Sequence, residues 1–343
     1  MGKVVQEQFI KFHKNIKLDM DDLKSVIEKR NMLIDEIRTY LKKMCDEKKI
    51  KLIRFEPFNE GSYAMGTGNK AYHEEHDYDI DCGLQFEVSI EDYSPLQVKQ
   101  WVFDALNSNQ FRTVEWKNAC IRVQYTEQGL PKFHVDFASY SNSNSDGKTY
   151  LAKGTPTNGK KKWEEAEPKK LRDLVNNKFT DDEECSQFKR VIRYFKRWKD
   201  KQFNSVNGKP TGIAFTALAY NGFKPHAKNP FTCAIEIDDL KAMKDFVNYV
   251  LNQFSWWDNR ITVRLPVLPG NDLFEKMTDQ QCKDLKEKLE KLRDALSDAE
   301  NEADPHEACK ILKKQFGDDF PVPPKEDTGQ SRKKAVAGTS ESA

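Results

Sequence analysis

The hydrophobic and polar positions change period along the chain. From Asp19, the stretch "DMDDLKSVIEKRNMLIDEIRTYLKKM" brings Leu23, Ile27, Leu33, Ile34, Ile37 and Leu41 back at helical spacing, which predicts one long amphipathic helix of about seven turns. In "DYDIDCGLQF", "NACIRVQYTE" and "KFHVDFASY" apolar and polar residues alternate as in half-buried strands, and "QGLP" between the last two predicts a turn. Helical periodicity returns in "SQFKRVIRYFKRWKDKQF", "GIAFTALAYNGF" and "KMTDQQCKDLKEKLEKLRDALSDAENEA". In the last of these, Thr278 and Gln281 have the spacing of a capping box. The seam of Leu285, Leu289, Leu292 and Leu296 is expected to face the protein's own core. The polar stretch "SNSNSDGKTYLAKGTPTNGKKKW" reads as a loop, with Lys160 to Lys162 as solvated surface. A helical start, a mixed middle and a helical second half make the fold class α+β.

Length and composition narrow this picture. A chain of 343 residues has room for a large two-lobed unit or two domains. With 38% hydrophobic and 32% charged residues and no apolar run near membrane-spanning length, it reads as soluble, with no membrane partner. The first residues show no apolar core followed by a small-residue cleavage site, so no signal peptide is expected. Gln6 stands where a myristoylation signal wants Ser or Thr. The seven cysteines form no CxxC or His-Cys cluster, which favours reduced thiols in a cytoplasmic protein over a zinc site or disulfide framework. The formal net charge of +1 offers no overall pull toward a nucleic-acid polymer, so strong nucleic-acid binding is not expected. After "FPVPP" the segment "KEDTGQSRKKAVAGTSESA" has almost no apolar bulk and is expected to be disordered.

The candidate chemistry lies in "GSYAMGTGNKAYHEEHDYDIDCG". Strand alternation places Ile80, Cys82, Leu84 and Phe86 on an apolar face and sends Asp79 and Asp81 to the other side together. Two acids on one face suit a cation, although alternating acids equally mark a solvated edge strand. The same logic buries Phe133, Val135 and Phe137 and leaves Asp136 free to join from a neighbouring strand. Hard oxygen ligands suit Mg²⁺, and two such ions about 3.5 to 4 Å apart activate an attacking hydroxyl and stabilise a leaving phosphate. Upstream, Gly61, Ser62, Gly66 and Thr67 form a glycine-rich turn of the kind whose backbone N–H groups cradle phosphates. A phosphate cradle beside a metal site points to nucleoside triphosphate chemistry.

"GSYAMGTG", "DYDIDCGL", "KFHVDFASY", "IRYFKRWK" and "GKPTGIAFTALA", in this order from about residue 10 to 324, resemble the bacterial cGAS/DncV-like nucleotidyltransferases. These are the CD-NTases of CBASS anti-phage systems, within the polymerase-β-like superfamily. The resemblance implies a two-lobed enzyme that joins nucleoside triphosphates into a cyclic or linear oligonucleotide signal read by a downstream effector. It also implies two Mg²⁺ ions, with Mn²⁺ as a substitute. By match to the motifs, Asp79, Asp81 and Asp136 are the catalytic metal ligands and Gly61 and Ser62 contact the triphosphate. Lys196, in Lys-x-Trp with Trp198, reaches the phosphates. The family's Ser near "KPSS" is replaced in "KPTG", which leaves Thr211 at that spot. Asp77 precedes the acid pair and falls outside the triad. The implied organisation is a core lobe with the long N-terminal helix over 1–175, a helical lobe over 176–324 and a tail over 325–343. Some relatives have this terminus conjugated by a ubiquitin-transferase-like partner, and a regulatory partner is compatible with the sequence; a solubilising tail is the plainer reading.

Two other classes share features with this one. An enzyme that modifies a macromolecule or small acceptor would carry the same triad, with a basic groove or acceptor domain. A catalytically dead binding module would lack one acid, and all three are present. His73 and His76 are expected in a loop over the site rather than in a zinc site. Trp256 and Trp257 are expected to pack in the core rather than stack a base.

Overall fold

The computed structural model describes residues 2–18, 20–72, 78–107, 112–127, 130–158, 160–203, 208–229 and 231–325; the side chains of residues 20–23, 25, 78, 79, 126, 127 and 130–132 lie outside the described ones. His73, His76, Asp77 and the expected tail from 326 onward also fall outside them.

The chain begins with helices α1 (Gly2–Ile16) and α2 (Met20–Lys48). A sheet follows, made of β1 (Phe55–Asn59), β2 (Tyr78–Phe86), β3 (Thr113–Trp116), β4 (Ile121–Glu127), β5 (Leu130–Ser141), β6 (Tyr150–Lys153) and β7 (Lys162–Glu165). A single turn of helix, α3 (Gly61–Ala64), leaves β1, and α4 (Pro95–Leu106) crosses between β2 and β3. The strand order is β1-β2-β5-β4-β3, with β6 continuing on β5 and β7 on β6. Among the described residues only β2 and β5 run parallel; the other pairs are antiparallel.

The alternation read in the sequence sets the layers. Ile80, Cys82, Leu84 and Phe86 of β2 and Phe133, Val135 and Phe137 of β5 form a buried core with Leu33, Ile34, Ile37 and Leu41 of α2 and Val98, Trp101 and Val102 of α4. A one-residue slip of either strand would exchange this face for the acidic one, so burial fixes the register that aligns the acids. The second core is helical: α5 (Pro168–Asn176), α6 (Asp182–Gln202), α7 (Gly212–Gly222), α8 (Asp239–Leu251), α9 (Asp279–Asn301) and α10 (Pro305–Phe316). Helix α1 packs in this second core, where Phe9 and Phe12 meet Tyr194, Phe316 and Phe320. Thus residues 2–16 join the helical core, although the sequence grouping assigned them to the sheet-containing lobe.

Helix α6 crosses the helical core. Asp181 caps it by accepting from the N–H groups of Glu183 and Glu184, and the acids Asp182 to Glu184 suit its N-terminal dipole. Phe188, Val191, Ile192, Phe195 and Trp198 are fully buried, each contributing roughly 1.5–3 kcal/mol. That apolar face, more than intrinsic propensity, holds the helix. The capping box at Thr278 and Gln281 is formed, and Leu285, Leu289, Leu292 and Leu296 lie in the core.

Two expectations are corrected. The polar stretch read as a loop contains the β6–β7 hairpin, in which Lys153 and Lys162 pair with the nearly buried Glu164 and Lys99 donates to the Gly154 carbonyl. Its alternation is short and its polar groups are satisfied by ion pairs, so hydrophobicity gave no signal. Trp256 and Trp257 are not core residues: they are 92% and 75% exposed on the turn after α8.

Candidate functional site

The face of the sheet opposite α2 and α4 opens into a cavity of about 740 Å³ between the sheet and the helices. Asp81 and Asp136 both line it and stand opposite each other in the parallel β2–β5 register. Asp79 stands two residues back on β2, paired in register with His134; its side chain lies outside the described ones. Asp136 is 8% exposed, and both its oxygens accept from Arg122, Oδ1 from Nε at 2.8 Å and Oδ2 from NH2 at 2.7 Å. Arg122 faces Asp136 in the β4–β5 register and Glu115 in the β3–β4 register. A row Glu115–Arg122–Asp136–Asp81 therefore runs straight across four strands.

The glycine-rich turn sits over this row. Gly61 has φ +67°, and a Cβ there would fall 1.7 Å from Asp81 Oδ2, so glycine is required for both the conformation and the approach of backbone to carboxylate. Ser62 also lines the cavity. The N–H groups of Met65, Gly66 and Thr67 donate to Gly61, Tyr63 and Ser62 carbonyls. Those of Gly61, Ser62 and Tyr63 have no backbone acceptor among the described residues, as expected at a helix start. The available donors thus concentrate on Gly61 to Tyr63, not on the later Gly66 and Thr67.

Helix α6 supports the turn from the other side. Arg193 donates to the carbonyls of Gly66 and Gly68, and Arg197 to that of Lys70. Lys196 Nζ donates to the Thr67 carbonyl at 3.2 Å and to Thr67 Oγ1 at 3.0 Å. Burial, with Lys199 and Arg193 nearby, brings Lys196 down to about 7, while Asp200 and Asp81 oppose the shift. The basic residues of α6 are therefore divided: Arg193 and Arg197 tie the loop carbonyls, and Lys196 faces the cavity. Thr211, at the start of α7, is exposed and makes no capping bond; its neighbours Lys209, Gly212 and Ile213 line the cavity instead.

Some cavity residues were not singled out by the sequence. Glu60, just before Gly61, accepts a 2.8 Å hydrogen bond from Tyr140, which lies four residues after Asp136 on β5. Withdrawal from solvent raises Glu60 to about 7; the Tyr140 bond opposes this and Asp136 adds to it. The i+4 spacing of Asp136 and Tyr140 on one strand face was the available signal. Asp200, with Lys209 at 2.8 Å and Lys199 at 3.3 Å, forms a second charged group beside Lys196. Nothing in the periodicity of α6 marks it.

Chemically, the cavity pairs a carboxylate cluster with lysines and a glycine turn, the complement of a metal-bound polyphosphate. Among the described residues no three His, Cys, Asp or Glu side chains cluster closely enough to hold a metal without Asp79. The aligned Asp81 and Asp136, hard oxygen donors lining one cavity, fit a divalent cation.

Such a sheet, with its acids on adjacent parallel strands and a glycine turn above them, has the fold of the polymerase-β-like nucleotidyltransferases. Residues 56–140 match the family model described as "Cyclic GMP-AMP synthase DncV-like, nucleotidyltransferase domain", a span that includes Glu60, Gly61, Ser62 and all three acids. A cyclic GMP-AMP synthase from Escherichia albertii is 27% identical over 280 residues, 79% of this chain and 56% of that protein. The chain thus spans little more than half the length of this curated relative. The crystal structure of Vibrio cholerae DncV cyclic AMP-GMP synthase matches with a TM-score of 0.71 at 19% identity, covering 90% of this chain and 93% of that one. The same enzyme in complex with the linear intermediate 5′ pppA(3′,5′)pG matches at 0.70 and 18% identity, covering 90% and 93%. Residues 56–140 thus resemble a DncV-like nucleotidyltransferase domain, and the chain shares the fold of the solved enzyme. Among the described residues no helix is long and apolar enough to cross a membrane.

Proposed function

We propose that this chain joins nucleoside triphosphates into a cyclic oligonucleotide second messenger. The observation that carries the reading is the cross-strand alignment of Asp81 with Asp136 directly beneath the Gly61–Ser62 turn. Asp79, Asp81 and Asp136 would hold two Mg²⁺ ions, for which Mn²⁺ can substitute. When bound, such ions polarise the phosphoryl group and stabilise the attacking and leaving oxygens. Gly61 and Ser62 receive the triphosphate, and Lys196 supplies a point charge to it. Thr211 is retained as a nucleotide contact through the motif match; its exposed side chain would have to reach the phosphates from the cavity rim. The 740 Å³ cavity, lined on its far side by Ile213, Leu265 and Val267, offers apolar surface for bases.

The relatives extend this reading. The solved Vibrio cholerae enzyme is a cyclic AMP-GMP synthase and was captured with GTP and with the pppApG intermediate. By analogy this chain is an ATP- and GTP-using synthase, acting in the cytoplasm within a CBASS anti-phage operon and signalling to a downstream effector. Regulatory or conjugating CBASS proteins would be its other partners.

The test is to incubate the purified chain with labelled ATP, GTP, CTP and UTP and Mg²⁺, then treat with phosphatase. Phosphatase-resistant label that disappears in Asp81→Asn supports a cyclic product. Label that is fully phosphatase-sensitive points to a linear product, and label transferred only onto an added macromolecule overturns the synthase reading.

A further inference from the structure

We infer that Arg122 is a positioning residue that makes divalent-ion loading at the Asp81–Asp136 pair depend on the incoming triphosphate. The inference rests on the reading of these aspartates as metal ligands.

Three observations carry it. Arg122 makes a two-pronged, charge-assisted pair with Asp136, at 2.8 and 2.7 Å, so the carboxylate is neutralised before any ion arrives. A guanidinium cannot shed its proton to relieve crowding by a second cation. And Arg122 lies on β4 between Glu115 of β3 and Asp136 of β5 in the strand register, its side chain 28% exposed and held against Asp136 by the fork. A divalent ion ligated by Asp136 therefore has a permanent cation bound to the same carboxylate. Three carboxylates, Asp79, Asp81 and Asp136, set against Arg122 and two divalent ions still leave the site with surplus positive charge. A polyphosphate restores the balance, which couples ion loading to nucleotide binding.

An opposing effect exists, because a hydrogen bond that orients a ligating carboxylate commonly raises metal affinity, and its loss costs about 10–100-fold. At Asp136 the backbone is largely set by the sheet: β5 has a strand on both sides, β2 and β4, at this residue. Charge is then the larger contribution of Arg122. The two effects have opposite signs, so measurement separates them.

The experiment titrates Mn²⁺ alone into the full chain and follows free Mn²⁺ by electron paramagnetic resonance, for wild type, Arg122→Gln, Arg122→Lys and Asp81→Asn. Arg122→Gln is expected to bind Mn²⁺ at least about tenfold more tightly than wild type, since a unit charge next to a divalent ion is worth more than that even at high effective dielectric. Arg122→Lys, which keeps the charge and loses the fork, is expected to stay within about threefold of wild type. Adding a non-hydrolysable triphosphate should bring wild type and Arg122→Gln together. Equal or weaker binding in Arg122→Gln, or equal tightening in Arg122→Lys, overturns the inference while leaving the metal site intact. Undiminished binding in Asp81→Asn overturns the metal reading itself, and the inference with it. Should Arg122→Gln not fold, wild type alone decides: Mn²⁺ bound as tightly without the triphosphate as with it refutes the coupling.

Discussion

Replacing Lys196 with methionine is expected to raise stability at neutral pH while removing triphosphate binding. The ammonium is held at 8% exposure with Thr67 as its partner, and its pKa falls from 10.5 to about 7, chiefly through burial. The unfolded chain therefore binds more protons than the folded one between those values. The cost is full below pH 7 and fades as pH rises toward 10.5. At about 1.4 kcal/mol per pKa unit, burying Lys196 costs roughly 4 kcal/mol at pH 7 and roughly 2 at pH 9. Methionine avoids this cost and leaves the Thr67 hydroxyl and carbonyl without their donor, a loss of about 2 kcal/mol. The net gain is about 2 kcal/mol at pH 7 and near zero at pH 9, which corresponds to a Tm rise of a few degrees at pH 7. Thermal unfolding of both proteins at the two pH values, with calorimetric titration of ATP, checks this. Wild type should take up a proton on binding ATP at pH 8, and the variant should not. A lower Tm for the variant at pH 7, a gap that widens at pH 9, or unchanged ATP affinity would refute the reasoning.

Asp81→Asn is expected to cut product formation at least a hundredfold with less than about 1 kcal/mol change in stability, since it relieves like-charge repulsion near Asp136; turnover and Tm measured together check both halves. Gly61→Ala should lose turnover and about 1–2 kcal/mol, because the methyl must displace the Asp81 carboxylate and φ is +67°; urea unfolding and product assays read each. Asp239→Asn, far from the cavity, should cost about 3–5 kcal/mol, since this fully buried carboxylate accepts from Arg190, Tyr194 and Gln187; a urea midpoint close to that of wild type would contradict the assignment. Trp256→Ser should leave stability within about 0.5 kcal/mol, as its ring is 92% exposed.

What was legible in the sequence were the features with a repeating physical cause. Period-two burial fixed β2, β4 and β5 and, through them, the shared face of Asp81 and Asp136. Period 3.6 with a capping box fixed α2, α6 and α9. Strands such as β3, β6 and β7 have only four residues, too few to show a period, and their pairing is long-range. The same holds for α1, whose amphipathic pattern says that it packs but not against which core. Arg122, Glu60 and Tyr140 were missed for a related reason. Each acts through a cross-strand or cross-element neighbour, and one chain without its register cannot name that neighbour. The exposed Trp256 and Trp257 ran against the usual burial of aromatics, a preference that carries no positional information.

The position of α6 explains why the two halves of the fold work on one cavity. Its apolar side is the centre of the helical core, and its basic side binds the carbonyls of Gly66, Thr67, Gly68 and Lys70, which lead out of the turn over Asp81. Those bonds satisfy loop carbonyls, while the N–H groups of Gly61 to Tyr63 have no backbone acceptor among the described residues. The sheet core sets the acids through β2 and β5; the helical core sets the turn through α6. The β1–β2 pairing, continued by the Glu60 N–H to the Asp81 carbonyl, sets Gly61 beside Asp81, and α6 holds the loop that leads on from it. A core substitution in α6, such as at Phe195 or Trp198, therefore acts on nucleotide handling through the loop carbonyls, without touching a residue of the cavity.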